Sequence, residues 1–231
     1  VKLENITYLK DEPSPRNDKR QYDDACGTAH ALELIGERWT LLVLRELMLG
    51  PRRFSQLRAA LPGISANVLT QRLAELDQRG LVRRRKLPPP ASVQVYEATE
   101  WGLEAEPIVQ ALGRWAARSP GHDPTLPISG VSILLSFRTM ISDKRAKGID
   151  ARIGFRFGAD DYAARVKKGQ IKIARGSPDG CDVVFSGAPA TLAAVVYGGQ
   201  PLDLLGVTGD RALAQKFVTL FVLPPKVGSG G

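Results

Sequence analysis

Amide and guanidinium groups, rather than nucleophiles, are the chemistry-bearing side chains that gather in this sequence. Between Gly63 and Gly80, the residues Asn67, Thr70, Gln71, Ala74 and Gln78 recur at helical spacing, opposite Leu69, Leu73 and Leu76. At about 100° per residue, that spacing predicts a helix with a narrow apolar stripe and a slender amide-rich face. Asn and Gln amides make bidentate bonds to adenine N6 and N7 in a DNA major groove, and a small residue such as Ala lets the backbone approach. Ser65 is a fitting N-cap and Gly80 a fitting stop. Basic residues surround this stretch. From Arg52 to Lys86 there are nine (Arg52, Arg53, Arg58, Arg72, Arg79, Arg83, Arg84, Arg85, Lys86) against Glu75 and Asp77, a balance of +7 in a chain whose total is +8. Charge concentrated in this way suits phosphate oxygens. The candidate DNA contacts are therefore Ser65, Asn67, Thr70, Gln71 and Arg72 on the helix, Arg52 and Arg53 before it, and Arg83, Arg84, Arg85 and Lys86 after it.

Catalytic chemistry has little support. His30 and His122 are the two histidines, and neither stands at a motif spacing from a nucleophile or carboxylate. Two cysteines and two distant histidines make no zinc pattern, and no glycine-rich loop opens a helix. We expect no catalytic residue, no metal and no cofactor. Cys26 is the notable single residue. In the first turn of a helix, the backbone dipole lowers a thiol pKa, although Asp23 and Asp24 beside it oppose the thiolate. Cys181 is expected to serve packing.

The elements that must position these groups are legible in the apolar pattern. Residues 1–22 are polar and contain Pro13 and Pro15, as in an arm or a cloning remnant, and the chain starts on Val1 rather than a native Met. A helix is predicted from Asp23 to Gly36 with Ala29, Leu32 and Ile35 inward, and another, apolar almost all round, from Trp39 to Leu49. A short helix over 53–61 ends at Pro62-Gly63, and the amide-faced helix follows directly. Strands at 81–87 and 93–98 flank a Pro88-Pro89-Pro90-Ala91-Ser92 tip, whose prolines donate no ladder bonds. A helix from Thr99 to Arg118 carries Leu103, Pro107, Ile108, Leu112 and Trp115. Its apolar surplus suits an interface with a second copy. A short helix, a tight turn, a longer helix and a hairpin wing make a winged helix-turn-helix.

These residues carry a resemblance. Cys26, Leu32 to Thr40 (LELIGERWT), Arg53-Phe54-Ser55-Gln56-Leu57, Pro62-Gly63-Ile64-Ser65 with Leu69 and Leu73, Gly80-Leu81-Val82 and Trp115 resemble the HxlR-type winged-helix transcriptional regulators, relatives of the MarR group. The resemblance covers 23–118. It implies a homodimer, joined through the 99–118 helix and the N-terminal helix, that binds double-stranded DNA with the Ser65 helix in the major groove. Some members use a cysteine at the position of Cys26 to sense oxidants or electrophiles. Gly27 stands where the family usually has proline, and the triple-proline wing tip is unusual.

Residues 119–130 hold three prolines and two glycines and read as a linker. Beyond it the pattern changes to a helix over 131–144, a strand through Ile153, Phe155 and Phe157, a hairpin turning at Lys168-Gly169, a strand over 181–186, a helix over 188–197, a short extended stretch over 207–210 and a helix over 211–221. That order, with Asp182-Val183-Val184-Phe185-Ser186-Gly187, resembles the sterol carrier protein type-2-like domain over 131–222, with 223–231 a tail. The resemblance implies an apolar-ligand tunnel, for which Leu134, Phe155, Phe157, Phe185, Leu204, Leu205 and Phe217 are candidate lining residues; a filled core is the alternative.

The expected fold class is thus α+β, an N-terminal winged helix-turn-helix domain and a C-terminal α/β sterol-carrier-like domain. The expected function is sequence-specific transcriptional regulation, responsive to an apolar small molecule through the second domain. Alternatives are a regulator switched by oxidation of Cys26, and a lipid carrier or interaction protein with a basic N-terminal half. With 43% hydrophobic residues, no apolar run near the roughly 20 residues that span a bilayer and no signal-peptide pattern, a cytoplasmic protein without a membrane partner is expected.

Overall fold

In the computed structural model, residues 22–89 and 92–228 are described, and the chain divides into two compact units at Glu37/Arg38. The arm expected over 1–22 lies, apart from Tyr22, outside the described residues, as do Pro90 and Ala91 at the wing tip. The first unit contains α1 (Gly27–Ile35). This helix begins four residues later than the acidic pair predicts. The Asp24 carboxylate accepts the Cys26 N–H at 2.9 Å, and this local turn holds the backbone out of the helical register until Gly27. Cys26 becomes the N-cap instead. Leu32, expected to point inward, is exposed.

The second unit opens with α2 (Thr40–Leu47), α3 (Phe54–Ala60) and α4 (Ala66–Gln78), followed by the antiparallel pair β1 (Val82–Lys86) and β2 (Gln94–Ala98). This is the expected winged helix-turn-helix. Val43, Leu44, Leu47, Leu57, Leu69, Leu73 and Leu76 are buried together as its core. Each such side chain contributes roughly 1.5–3 kcal/mol on leaving water. Trp39, before α2, has φ +77°, an uncommon conformation for an aromatic residue. Its ring lies against Gly63, where an added Cβ would sit 3.8 Å away. Gly63 itself has φ +89°, which the turn into α4 requires.

The single helix expected over 99–118 is two, α5 (Glu100–Leu103) and α6 (Glu106–Ala116). Pro107 has no N–H to donate back to the preceding turn, so the first helix stops and a second starts with the proline in its opening turn. No helix or strand occurs from 119 to 129, but the segments on either side belong to the same compact unit. The remainder comprises α7 (Gly130–Met140), α8 (Asp143–Ala146), β3 (Asp150–Phe157), β4 (Asp160–Lys167), β5 (Gln170–Arg175), β6 (Val183–Ser186), α9 (Pro189–Gly198), a 3-10 turn over Leu202–Leu204, β7 (Gly206–Gly209) and α10 (Arg211–Val218). The helix expected over 131–144 is divided because Ile141 bridges to Phe221 in extended conformation.

The five strands lie in the order β5-β4-β3-β6-β7, with β3 and β6 parallel and the other neighbours antiparallel. The β4–β5 hairpin turns at Lys168-Gly169, both with positive φ, which matches the twist of the flanking strands. One sheet face carries the core. There Phe137, Phe155, Phe185, Phe217 and Phe221 pack ring against ring, with centroids from 4.2 Å (Phe137–Phe221) to 6.0 Å (Phe137–Phe155). Leu134, Leu205 and Tyr162 are buried in the same lobe. Leu204, a candidate lining residue, is instead 58% exposed. The 3-10 turn places it and Leu205 in different surroundings, so Leu204 leaves the set. Phe157 is half-buried at the strand end. Among the described residues no helix is long and apolar enough to cross a membrane.

Candidate nucleic-acid interface

The amide face of α4 is held by both its ends. The Ser65 hydroxyl accepts the Val68 N–H at 3.2 Å, so the helix starts at Ala66 and its first turn is fixed. At the other end the Leu81 N–H bonds to the Leu76 carbonyl at 2.9 Å and leads into β1. Leu69, Leu73 and Leu76 anchor the inner stripe, which leaves Asn67, Thr70, Gln71, Ala74 and Gln78 exposed together. Gln71 is oriented within its own helix, where its amide donates to Glu75 at 3.0 Å.

The expected arginine set separates into three groups. Arg52 and Arg72 do not reach the surface. Arg72 is 6% exposed and pairs with Glu75 at 2.7 Å. Arg52 is 3% exposed, paired with Asp160 at 3.1 Å and donating to the Tyr162 hydroxyl at 2.7 Å. Both are therefore removed from the candidate phosphate contacts. A guanidinium with its carboxylate inside the protein has no charge to offer outside.

Arg83 and Arg85, on one face of β1, converge on Glu97 of β2 at 2.6 Å and 2.7 Å. Burial pushes the Glu97 carboxyl up, but the hydrogen bonds from Arg85 and Arg83 outweigh it and hold the group below the usual range. Glu97 is thus ionised at neutral pH and neutralises part of the wing charge. The strand alternation turns Arg84 and Lys86 to the opposite face. They are exposed, and among the described residues they form no ion pair. Arg53, just before α3, is also exposed. Of the candidate phosphate contacts, Arg53, Arg84 and Lys86 remain exposed and outside any ion pair among the described residues.

A second surface lies on α6. Ile108, Leu112 and Trp115 are exposed, Trp115 by 73%, and with Pro107 and Ala111 they line a shallow apolar hollow. The opposite side of α6 is tied to α7, where the Arg138 guanidinium donates to both Glu106 carboxylate oxygens at 2.6 Å.

In the first unit, Cys26 is exposed and lies beside the free N–H groups of α1. The neighbouring Thr28 and Ala29 backbone N–H groups, and to a smaller extent the Thr28 side chain, favour the thiolate and lower its thiol pKa, although the Cys26 side chain makes no capping hydrogen bond. Burial does the reverse at Cys181, where it raises the thiol.

Sequence reasoning missed Glu46 and Tyr162. Glu46 is fully buried on α2, where one carboxylate oxygen accepts from Arg45 at 2.9 Å and from the Ser129 hydroxyl at 2.7 Å. The signal was present: an acid within a helix apolar almost all round must find a buried donor.

Residues 34–123 match the family described as HxlR-like helix-turn-helix. The HTH-type transcriptional regulator YodB of Bacillus subtilis is 37% identical over 86 residues, which cover 37% of this chain and 77% of YodB. YvaP of the same organism, an uncharacterized HTH-type transcriptional regulator, is 36% identical over 86 residues, covering 37% of this chain and 80% of YvaP. The solved structure of reduced YodB is 34% identical, covers 42% of this chain and 98% of that chain, and has a TM-score of 0.38. The matched family region ends at residue 123, so most of the second lobe lies beyond it.

Proposed function

The chain belongs to the HxlR-like helix-turn-helix family of transcriptional regulators, and from that premise we propose that it binds double-stranded DNA sequence-specifically as a homodimer. The observation that carries this reading is the exposed amide face of α4 beside two unpaired cations on the wing. Asn67, Thr70 and Gln71 read base edges in the major groove, and Arg53, Arg84 and Lys86 hold phosphates and fix the register. The α6 hollow, with its exposed Trp115, is the dimer surface. Two copies then place two α4 helices on successive turns of one DNA face.

Salt titration tests the phosphate assignment. Each neutralised phosphate contributes a slope of about −0.9 to the dependence of log affinity on log salt. Arg84→Ala is expected to reduce the slope magnitude by about 0.9 on specific and random duplexes alike. An Arg84→Ala slope equal to that of the unaltered protein would take the wing out of the interface.

The C-terminal lobe belongs to the same proposal as a sterol-carrier-like module that takes an apolar small molecule. The support is its order of elements around an aromatic core. With the rings of Phe137, Phe155, Phe185, Phe217 and Phe221 in mutual contact, a ligand enters by displacing them rather than by filling an open tunnel.

A second reading is favoured by one observation, the exposed Cys26 thiol with its lowered pKa. A lower pKa means a larger thiolate fraction at neutral pH, and the thiolate is the species that attacks electrophiles. In this reading, oxidation or alkylation of Cys26 alters DNA binding through α1. Iodoacetamide at pH 7 is expected to modify Cys26 well before Cys181, with the Cys26 rate levelling off at the lower pH. Peptide mapping of a time course measures both sites. Equal rates, or Cys181 first, would remove the basis for a thiol input.

A further inference from the structure

The arginine that sequence assigns to DNA has a different partner in the fold. Arg52 stands beside the wing, where its N–H and carbonyl pair with Tyr96 of β2 at 2.9 Å and 2.8 Å, so its backbone extends the wing sheet by one residue. Its side chain leaves the wing and enters the C-terminal lobe. One guanidinium nitrogen donates to the Tyr162 hydroxyl on β4 at 2.7 Å, and the other pairs with Asp160 at 3.1 Å. Arg175 at the end of β5 repeats both contacts from the other side, donating to the Tyr162 hydroxyl at 2.9 Å and pairing with Asp160 at 2.6 Å. Its guanidinium also lies 4.9 Å from the centre of the Tyr162 ring. The four side chains close a ring in which one phenol oxygen and one carboxylate each receive two guanidinium groups.

We propose that this ring makes Arg52 and Tyr162 positioning residues for DNA binding, because it fastens the wing to the C-terminal lobe and so sets where Arg84 and Lys86 stand beside α4. The proposal deepens the DNA-binding reading and rests on it. Tyr162 is fully buried and Arg52 nearly so, so water does not replace a lost partner. Two cations converge on one neutral oxygen, and the arrangement holds only while Asp160 bridges both. A displacement of the wing breaks the phenol bond and the carboxylate bond of Arg52 together. The cost of leaving buried guanidinium N–H groups unpaired makes the wing placement two-state rather than soft. Near this ring, α2 is tied to the same lobe by the bond from Ser129 to Glu46. The lobe thus grips two elements of the DNA-binding half, and Tyr162 is 110 residues from the arginine it holds.

Tyr162→Phe tests this with a change that removes one oxygen and no charge. Two readouts are made on the full chain. In the absence of DNA, amide exchange at Arg52 and Tyr96 is expected to accelerate by about tenfold or more, while exchange at Leu73 within α4 stays slow. With DNA, the salt slope is expected to fall by about 0.9, as though a phosphate contact had been deleted. Adding Arg84→Ala to Tyr162→Phe should then cost less than about twofold further affinity, since the contact is already lost. If Tyr162→Phe does not give folded protein, Asp160→Asn, at a partly exposed position, carries the same two readouts. Unchanged exchange at Arg52 and Tyr96 overturns the proposal, and so does a full Arg84→Ala effect in both backgrounds. Failure of the unaltered protein to bind DNA would instead overturn the reading on which it rests, while the exchange result would still decide whether the ring holds the wing.

Discussion

Replacing Gln71 by alanine is expected to lower the protein's preference for its target sequence by about 5- to 150-fold while leaving its affinity for random DNA nearly unchanged. Gln71 is exposed in the middle of the α4 amide face, and a bidentate amide–adenine pair is worth roughly 1–3 kcal/mol of discrimination, or about 5- to 150-fold. In the free protein its amide donates to Glu75 at 3.0 Å. Glu75 also holds the buried Arg72, so it is a fixed post against which Gln71 is oriented before DNA arrives. Reading a base requires Gln71 to exchange that bond for one to adenine. The loss is therefore specific to sequence, whereas Arg84→Ala should weaken all duplexes alike. Competition of a labelled specific duplex against random duplex measures the ratio. Equal weakening on both would show that Gln71 contacts phosphate, or nothing.

The second large effect concerns α6. Leu112→Asp is expected to give a monomer at micromolar concentration, because it buries a carboxylate in the apolar hollow formed by Pro107, Ile108, Ala111, Leu112 and Trp115. Two linked half-site contacts gain about 10²- to 10⁴-fold over one through effective concentration. The monomer should lose a comparable factor on a two-half-site duplex and very little on a single half-site. Leu112 is exposed, so the folded chain has no reason to be destabilised, and a melting curve checks this. Sedimentation of the variant as a dimer would place the interface elsewhere.

Much of the fold was legible because it is written at short range. The stripe of Leu69, Leu73 and Leu76, the capping serine, the Pro62-Gly63 turn and the Lys168-Gly169 hairpin are local signals, and the elements follow them. The break at Pro107 was also local, but its apolar spacing continues across the proline and hid it. The arginines show where local reading stops. Arg52 and Arg84 look alike in sequence, yet one is buried against a tyrosine 110 residues away and the other is free. Neither composition nor periodicity carries that pairing, because the partner lies in another lobe. Leu204 and Leu205 make the same point for apolar residues: adjacent in sequence, one is exposed and one buried. Glu46 was the exception, a charge in an apolar helix that announced a buried partner without identifying it.

Side-chain contacts give the C-terminal half a physical connection to the proposed DNA surface. Glu106 and Arg138 join it to α6, and Arg52, Asp160, Tyr162 and Arg175 join it to the wing. A ligand that binds one arrangement of that lobe better than another would shift DNA affinity by the same differential free energy.

The central claim is that α4 reads base sequence as one of a symmetric pair. Selection of bound duplexes from a random pool tests it most directly. The account predicts enrichment of a two-fold symmetric pair of half-sites about 10 bp apart centre to centre, or a multiple of that spacing. A pool that stays random after repeated rounds, with binding that responds only to salt, would contradict it.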